Sequence, residues 1–140
     1  MDKNYIIETK NLTKQYGSQK SVADLNIHVQ KGRIYGLLGR NGAGKTTTMK
    51  MLLGLTKPTS GEVKIWGKSL QGNEKKLLPR IGSLVESPGF YPNLTATENL
   101  RIFATLRGVP NRHAIKDALD LVGLPYKDKK LFSQYSLGMK

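Results

Sequence analysis

The chain contains the stretch Gly39-Arg40-Asn41-Gly42-Ala43-Gly44-Lys45-Thr46, which fits the pattern G-x-x-x-x-G-K-[ST] of a phosphate-binding loop. An apolar run at residues 34–38 comes directly before this loop and predicts a buried strand. Apolar residues at roughly helical spacing follow it over residues 49–55 and predict a helix. The pattern is meaningful when it lies between a strand and a helix, so this context supports a phosphate-binding loop.

The residue types in the loop suit an anionic ligand. Gly39, Gly42 and Gly44 allow backbone conformations that a Cβ would penalise, and they let the backbone approach an anion closely. Successive N–H groups then point at the phosphates, at the positive end of the following helix. Lys45 supplies an ammonium for the β- and γ-phosphates, and Thr46 supplies a hydroxyl ligand for Mg²⁺. The alternative is an ordinary glycine-rich turn, which the complete motif in this context disfavours.

Composition limits the class of protein. A chain of 140 residues predicts one domain, and the absence of cysteine excludes a disulfide framework and a cysteine-based metal site. No apolar run approaches the ~18 residues of a membrane span, and the N-terminus lacks a signal-peptide pattern, so a cytosolic protein is expected. The net charge of +13 is compatible with a nucleic acid, an anionic membrane surface or an anionic ligand. The basic residues are scattered, which favours a solvated surface for most of them.

Strand and helix patterns alternate along the chain. Strands are predicted over residues 5–10, 22–29, 62–66 and 81–85, and a short helix is predicted over residues 73–78, ended by Pro79. Thr95 and Glu98 form a capping-box pattern that opens a helix ending at Gly108. A further helix, capped by Asn111, carries Ile115, Ala118, Leu119 and Val122 on one face and is closed by Gly123. The pattern predicts an α/β fold with a partly parallel sheet around the loop strand.

Three further features lie outside the loop. Tyr16 precedes Lys45 by 29 residues, Glu86 ends the predicted strand before a Pro- and Gly-containing loop, and Tyr135-Ser136-Leu137-Gly138-Met139 stands near the end of the sequence. A phosphate-binding loop alone does not separate kinases, GTPases, helicases and transport ATPases. With these features at these spacings, essentially the whole chain resembles the nucleotide-binding subunit of an ATP-binding cassette (ABC) transporter.

The resemblance implies roles for individual residues in binding ATP. Residues 39–47, Thr47 included, would contact the phosphates. Tyr16 stands where the family places an aromatic ring on the adenine, a stacking worth about 1–3 kcal/mol with little base selectivity; the alternative is a tyrosine of the core or of a turn. Ser136 and Gly138 keep two positions of the family's signature, Leu-Ser-Gly-Gly-Gln. There the hydroxyl and the backbone N–H reach the γ-phosphate held by the opposite subunit of a head-to-tail dimer.

The chain departs from the family pattern at several of these positions. Glu86 stands where the family usually has the glutamine of the Q-loop, which reaches the metal and the attacking water and senses the membrane partner. A carboxylate is a stronger ligand for a hard cation than an amide, so metal binding by Thr46 and Glu86 together is expected, with an added charge near the γ-phosphate. The alternative is a surface glutamate at a strand end. Leu137 and Met139 also depart from the common signature.

The resemblance also implies an architecture and partners. Residues 1–85 would form an antiparallel β layer and the P-loop core, residues 86–95 the Q-loop region, residues 96–134 a helical subdomain and residues 135–140 the start of the signature. ATP and Mg²⁺ would be the cofactors. A second cassette and a membrane permease at the inner face of the cell membrane would be the partners. Glu86, the following residues 87–92 and the SLGMK ending look most like the branch that exports peptide antibiotics of the bacitracin and lantibiotic type.

The family continues past the signature with the Walker B strand, the catalytic glutamate, the D-loop and the switch histidine. The 140 residues contain none of these, and His28 and His113 lie far upstream of the histidine position. We therefore expect the front portion of a longer cassette, truncated before the Walker B strand, that binds ATP without hydrolysing it alone. Two other functions stay open. The charge of +13 favours a soluble ABC ATPase acting on nucleic acid or ribosomes, and the missing segments favour a non-catalytic ATP-binding fragment.

Overall fold

The computed structural model describes residues 5–86, 89–109 and 112–139. The chain divides into two compact units, Met1–Glu86 and Ser87–Lys140. The sequence pattern places the phosphate-binding loop in the first unit and the signature in the second. The predicted cap Asn111 and residues 87 and 88 of the predicted loop lie outside the described residues.

An antiparallel sheet forms the first unit around one long strand. Its strands are β1 Tyr5–Tyr16, β2 Gln19–Leu25, β3 His28–Gln30, β4 Ser60–Ile65 and β5 Lys68–Ser69. The order is β2-β1-β4-β5, and β3 also pairs with β1. The first predicted strand is therefore longer than residues 5–10, because β1 continues past Lys10 to pair with β2. The β4 strand confirms the strand predicted over residues 62–66.

The predicted strand over residues 22–29 is divided into β2 and β3. A buried threonine occupies the break: Thr9 Oγ1 donates to the Leu25 carbonyl at 2.8 Å and accepts from the Ile27 N–H at 2.8 Å. The Thr9 N–H also bonds the Ile27 carbonyl at 2.9 Å. Asp24 nearby has a positive φ of 47°. A side-chain hydroxyl thus replaces one step of the regular ladder, which strand patterning alone does not predict.

Two short helices close the core of the first unit. They are α1 Lys45–Leu52 and α2 Glu74–Leu77, and α2 is followed by a 3₁₀ turn at Leu78–Arg80 that contains Pro79. Leu12, Met51, Val63, Ile65 and Leu77 are buried together between the sheet and these helices. Gly54 follows α1 with a φ of 67°, as expected for a glycine at a helix end. The structure thus confirms the helices predicted over residues 49–55 and 73–78, as α1 and as α2 with its 3₁₀ turn.

The two predicted buried strands at residues 34–38 and 81–85 are wrong for the described chain. Neither segment is a strand, Ile34 and Leu38 are 103% and 93% exposed, and every strand pairing among the described residues is antiparallel. Parts of both segments, such as Leu37 and Leu84, line an open apolar groove of about 520 Å³ beside the sheet and α1. A central strand is stabilised by hydrogen bonds to neighbours on both sides, and the described residues supply no such neighbours.

The second unit is helical. It contains α3 Ala96–Leu106, α4 Arg112–Leu121 and 3₁₀ turns at Phe132–Gln134 and Leu137–Met139. The capping box is confirmed, since Thr95 Oγ1 accepts from the Glu98 N–H at 3.3 Å and a Glu98 carboxylate oxygen accepts from the Thr95 N–H at 2.8 Å. The carboxylate is stabilised by this backbone bond first and by the Thr95 hydroxyl second, so the pKa of Glu98 is lowered.

The face predicted for α4 is half correct. Ile115 and Leu119 are buried against Ala96 and Tyr135, whereas Ala118 and Val122 are exposed. Gly123 ends the helix with a φ of 69°, as predicted. In the part of the chain that the structure describes, no helix is both long enough and apolar enough to cross a membrane.

Candidate nucleotide-binding site

The candidate phosphate loop is fixed by the position of Gly44 at the start of α1. Gly44 caps the helix with a φ of 83° and Gly42 has a φ of 82°, both in the left-handed region that favours glycine. A Cβ on Gly44 would also overlap the carbonyl oxygen of Ser21 and lie 2.9 Å from a methyl group of Val22. Gly44 is therefore required by packing against β2 as well as by its backbone conformation.

The helix begins immediately after the loop. The Thr48 N–H donates to the Gly44 carbonyl at 2.8 Å, which is the first bond of the helix. The N–H groups of Lys45, Thr46 and Thr47 belong to the first turn and have no intrahelical acceptor by helix geometry. Thr46 is exposed and Thr47 is half-buried. These donors, at the positive end of α1, suit an approaching anion.

The Lys45 side chain folds back over the loop. Its Nζ lies 2.7 Å from the Gly39 carbonyl oxygen and 2.8 Å from that of Arg40, and the Ala43 N–H closes a turn onto the Arg40 carbonyl at 3.1 Å. An ammonium carries three donors, so two bonds to the loop leave one for a ligand. The positive charge is thus held at the loop itself. Phosphate oxygens fit this donor set, because the loop presents an ammonium and first-turn N–H groups.

Tyr16 lies in the same region of the first unit as the loop. It is the last residue of β1, the residue is 51% exposed, and Lys14 Nζ lies 4.9 Å from the centroid of its ring. In the β1–β2 register, Lys14 is opposite Val22, the residue against which Gly44 packs. The exposure excludes a core tyrosine. An open aromatic face close to the phosphate loop can stack on a flat ring.

Glu86 pairs with a lysine of α1. Its carboxylate lies 3.5 Å from Lys50 Nζ, and its φ is 66°. Lys50 follows Thr46 by four residues, a spacing that puts both side chains on one face of α1. In the part of the chain that the structure describes, the Glu86 carboxylate pairs with Lys50, and no hydrogen bond joins it to Thr46, the other predicted metal ligand. Both partners are exposed, and such pairs contribute about 0–1 kcal/mol, so the carboxylate can change partner easily.

The oxygen donors of Thr46 and Glu86 are of the kind that Mg²⁺ prefers, and phosphate and water usually supply its remaining ligands. Among the described residues, no group of three or more histidine, aspartate or glutamate side chains is placed to hold a metal by itself. The chemistry therefore fits a metal that arrives with a phosphate ligand.

The signature segment presents its polar groups to solvent. Ser136 and Gly138 are exposed, and the Met139 N–H closes a turn onto the Ser136 carbonyl at 3.1 Å. A Cβ on Gly138 would meet nothing within 4 Å, so packing within the chain does not require glycine there. Tyr135 is buried beside them, and its hydroxyl has no hydrogen-bond partner among the described residues. Burial first, and the charge of Asp128 second, raise the pKa of the Tyr135 hydroxyl.

Asn99 is a structurally important residue that the sequence pattern did not indicate. It is 1% exposed on α3, and its side-chain amide bonds the backbone of the segment at residues 91–95. The signal was a polar, poor helix-forming residue in the first turns of an otherwise apolar-faced helix, directly after the capping glutamate. Such a residue is best explained by a backbone that it must satisfy.

Comparison with known proteins identifies the class. Residues 22–140 match the sequence profile of the family described as ABC transporter. The chain is 60% identical over 135 residues to the bacitracin transport ATP-binding protein BcrA of Bacillus licheniformis, covering 96% of this chain and 44% of that protein. It is 39% identical to the lantibiotic transport ATP-binding protein SrtF of Streptococcus pyogenes, covering 96% of this chain and 57% of that protein.

A solved structure described as the ATP-binding subunit of an ABC transporter matches with a TM-score of 0.69 and 31% identity, over 84% of this chain and 48% of that one. The chain belongs to the ABC transporter family. This likeness confirms the predicted fold class, and the two relatives confirm the predicted resemblance to the bacitracin and lantibiotic group. The chain spans about half the length of the relatives it matches.

Proposed function

We propose that this chain is the front portion of an ATP-binding subunit of an ABC transporter, which couples ATP binding and hydrolysis to export across a membrane. The observation that carries the proposal is the Lys45 ammonium, held 2.7 Å and 2.8 Å from two carbonyl oxygens of a glycine loop at the start of α1. A positive charge and first-turn N–H groups at one point form a site for the phosphates of ATP.

The other residues take part around that point. Residues 39–47 hold the phosphates, and Tyr16 stacks on the adenine from the neighbouring end of β1. Thr46 and Glu86 would hold Mg²⁺, and in that role the Glu86 carboxylate would exchange its exposed ion pair with Lys50 for the metal. ATP with its Mg²⁺ supplies the chemical energy, and the protein positions its phosphates. We expect the chain alone to bind ATP without turnover, because activating the attacking water is a requirement separate from holding the phosphates.

The partners follow from the same proposal. Ser136 and Gly138 contact the γ-phosphate held by a second cassette, for which their exposure and the free space at Gly138 give support. The loop after Glu86 takes part in docking a membrane permease, so the subunit lies on the cytoplasmic face of the membrane. The relatives named for bacitracin and lantibiotic transport support a peptide antibiotic as the exported substrate. Their names favour this function over an ATPase acting on nucleic acid or ribosomes.

A thermal-shift titration with Mg-ATP tests the binding step. Ligand at about 100 times its Kd should stabilise the first unit by roughly 2.7 kcal/mol. Trp66 is the one tryptophan of the sequence and lies in the first unit, so its fluorescence reports that unit directly. Lys45→Ala should abolish the shift. Lys75→Ala removes an equal charge from an exposed position on α2 and should leave the shift unchanged.

Two results contradict the binding step. The first is a cooperative transition that ignores Mg-ATP, and the second is a shift that survives Lys45→Ala. Measurable turnover by the chain alone that is lost in Lys45→Ala would instead contradict the proposal that the chain binds ATP without hydrolysing it.

A further inference from the structure

The side chain of Asn99 is bonded at both ends to a segment of the second unit, residues 91–95. Its amide oxygen accepts from the Tyr91 N–H at 2.8 Å. Its amide nitrogen donates to the carbonyl oxygens of Tyr91 at 3.0 Å, Thr95 at 3.1 Å and, more weakly, Leu94 at 3.4 Å. Asn99 therefore takes the place that a neighbouring strand would have for Tyr91, since it pairs with both of that residue's backbone groups.

Burial of this amide is costly unless all of its hydrogen bonds are made. Asparagine is also a poor helix former, and a leucine at this buried position of α3 would favour both the helix and the core. Neither of these forces favours asparagine at position 99. The position is explained by the backbone of residues 91–95, whose polar groups it satisfies. Within that segment Tyr91 is 53% exposed, so the fixed shape of the segment does not serve to bury Tyr91.

A second set of contacts ties residues 90–95 to the segment before the signature. The Phe132 N–H donates to the Leu94 carbonyl at 2.8 Å, and the Ser133 N–H donates to the Pro92 carbonyl at 2.9 Å. The Phe90 ring packs edge-on against Phe132 with centroids 5.1 Å apart. Two backbone bonds and an aromatic contact thus join the segments side by side.

The path continues to the signature through one tight turn. The Tyr135 N–H donates to the Phe132 carbonyl at 3.1 Å, and Tyr135 is buried directly before Ser136. From Asn99 to Ser136, every step is therefore a direct hydrogen bond, a buried side chain or a peptide bond.

We propose that Asn99 is a positioning residue for the signature. The Asn99 side chain fixes residues 91–95, and residues 91–95 in turn fix residues 131–135. Residues 131–135 then set the direction in which Ser136 and Gly138 face a second cassette. The inference rests on the proposed function, because it assumes that Ser136 and Gly138 contact the nucleotide of that cassette. It adds a residue that touches neither nucleotide nor partner but determines how well the signature fits.

Two variants separate positioning from simple stability. Asn99→Asp keeps the size and the acceptor for Tyr91 but loses every donor and faces three carbonyl oxygens with a carboxylate. Asn99→Leu removes all of these bonds and keeps the core apolar. Thr97→Ala is the matched control, because buried Thr97 on the same helix accepts a bond from the Lys127 N–H at 3.2 Å and its hydroxyl makes no hydrogen bond to the described residues 91–95.

The measurements use the complete cassette, of which this chain is the front portion under the proposed function. Both Asn99 variants should bind Mg-ATP as monomers with a Kd within twofold of the unmodified protein. Their ATP-dependent dimerisation and their kcat should fall at least tenfold. Thr97→Ala should keep kcat within twofold of the unmodified protein, even if its Tm falls by as much as the Tm of the Asn99 variants. In Asn99→Asp, the amides of Phe132 and Ser133 should exchange hydrogen at least tenfold faster, with no change in α4.

Two results overturn the inference. One is an Asn99→Asp protein that is folded and retains kcat within twofold, and the other is a Thr97→Ala protein that loses kcat equally. If Asn99→Leu does not fold, Asn99→Asp and the exchange rates of the two amides give the answer alone, and unchanged exchange overturns the inference. Failure of the unmodified protein to bind Mg-ATP would instead contradict the proposed function.

Discussion

Two segments of the molecule, residues 34–38 and residues 90–95, have the opposite structure from the one that their sequences suggest. Residues 34–38 are apolar and precede the phosphate loop, yet they pair with no strand among the described residues and Ile34 is fully exposed. Residues 90–95 contain a proline and polar residues and precede α3, yet Asn99 and the backbone of residues 132 and 133 fix them with hydrogen bonds. Hydrogen bonds therefore fix the loop-like segment, whereas the strand-like segment has no strand partner in the part of the chain that the structure describes.

The difference lies in the source of the hydrogen-bond partners. Residues 90–95 find theirs within the second unit, on a helix that follows directly and on a segment about forty residues later. The apolar run at residues 34–38 needs strands on both sides, and none of the described residues supplies them. Hydrophobicity therefore predicts which residues gain from burial, while burial itself depends on elements that the run cannot provide.

The largest expected effect contrasts a buried core residue with an exposed residue of the apolar run. Leu12→Ala should destabilise the first unit by about 2–5 kcal/mol, because Leu12 is fully buried between the sheet and the helices. Ile34→Ser should change the stability by less than about 0.5 kcal/mol, since it loses no contact. Urea unfolding followed by Trp66 fluorescence measures both. A cost above about 1 kcal/mol for Ile34→Ser would show that residues 34–38 are paired after all.

The second contrast is between two glycines, one from each candidate site. Gly44→Ala should destabilise the first unit by about 2 kcal/mol or more, because an alanine at a φ of 83° is strained and its Cβ overlaps β2. Gly138→Ala should cost the second unit less than about 0.5 kcal/mol, because its Cβ meets open space. Thermal unfolding by circular dichroism and Trp66 fluorescence tests the pair. Equal effects would mean that Gly138 is also packed within the chain.

A smaller effect is expected at the start of α3. Thr95→Ala removes the acceptor for the Glu98 N–H and should cost the second unit about 1 kcal/mol. Thr95→Ser keeps the hydroxyl and should be close to neutral. The comparison uses far-ultraviolet circular dichroism during urea unfolding. If serine costs as much as alanine, the Thr95 methyl group contributes more than its hydroxyl.

The smallest effect is a pH dependence of the same cap. The pKa of Glu98 is lowered in the folded state. The charged carboxylate therefore stabilises the fold at pH values above the ordinary pKa of 4.5. This contribution should be lost as the pH falls through the lower folded value. Glu98→Gln should flatten that part of the curve when urea midpoints are compared from pH 6 to pH 3. An unchanged slope in the variant would assign the acid sensitivity of this unit to other groups.

Features formed by interactions within about four residues were predictable. The loop that starts α1, the capping box at Thr95 and Glu98, and the helix end at Gly123 all depend on neighbouring backbone groups and on glycine's access to a positive φ. The motif spacing also gave the family. The individual ligand roles of Tyr16, Thr46, Glu86, Ser136 and Gly138 stay predictions.

Features that depend on distant partners were not predictable. The break between β2 and β3 follows from Thr9, the need for glycine at position 44 includes its contact with β2, and Glu86 pairs with Lys50 of α1. Asn99 bonds a segment whose path the sequence pattern left open. In each case the deciding contact joins residues that are close only after folding, and short-range patterns carry no information about that proximity.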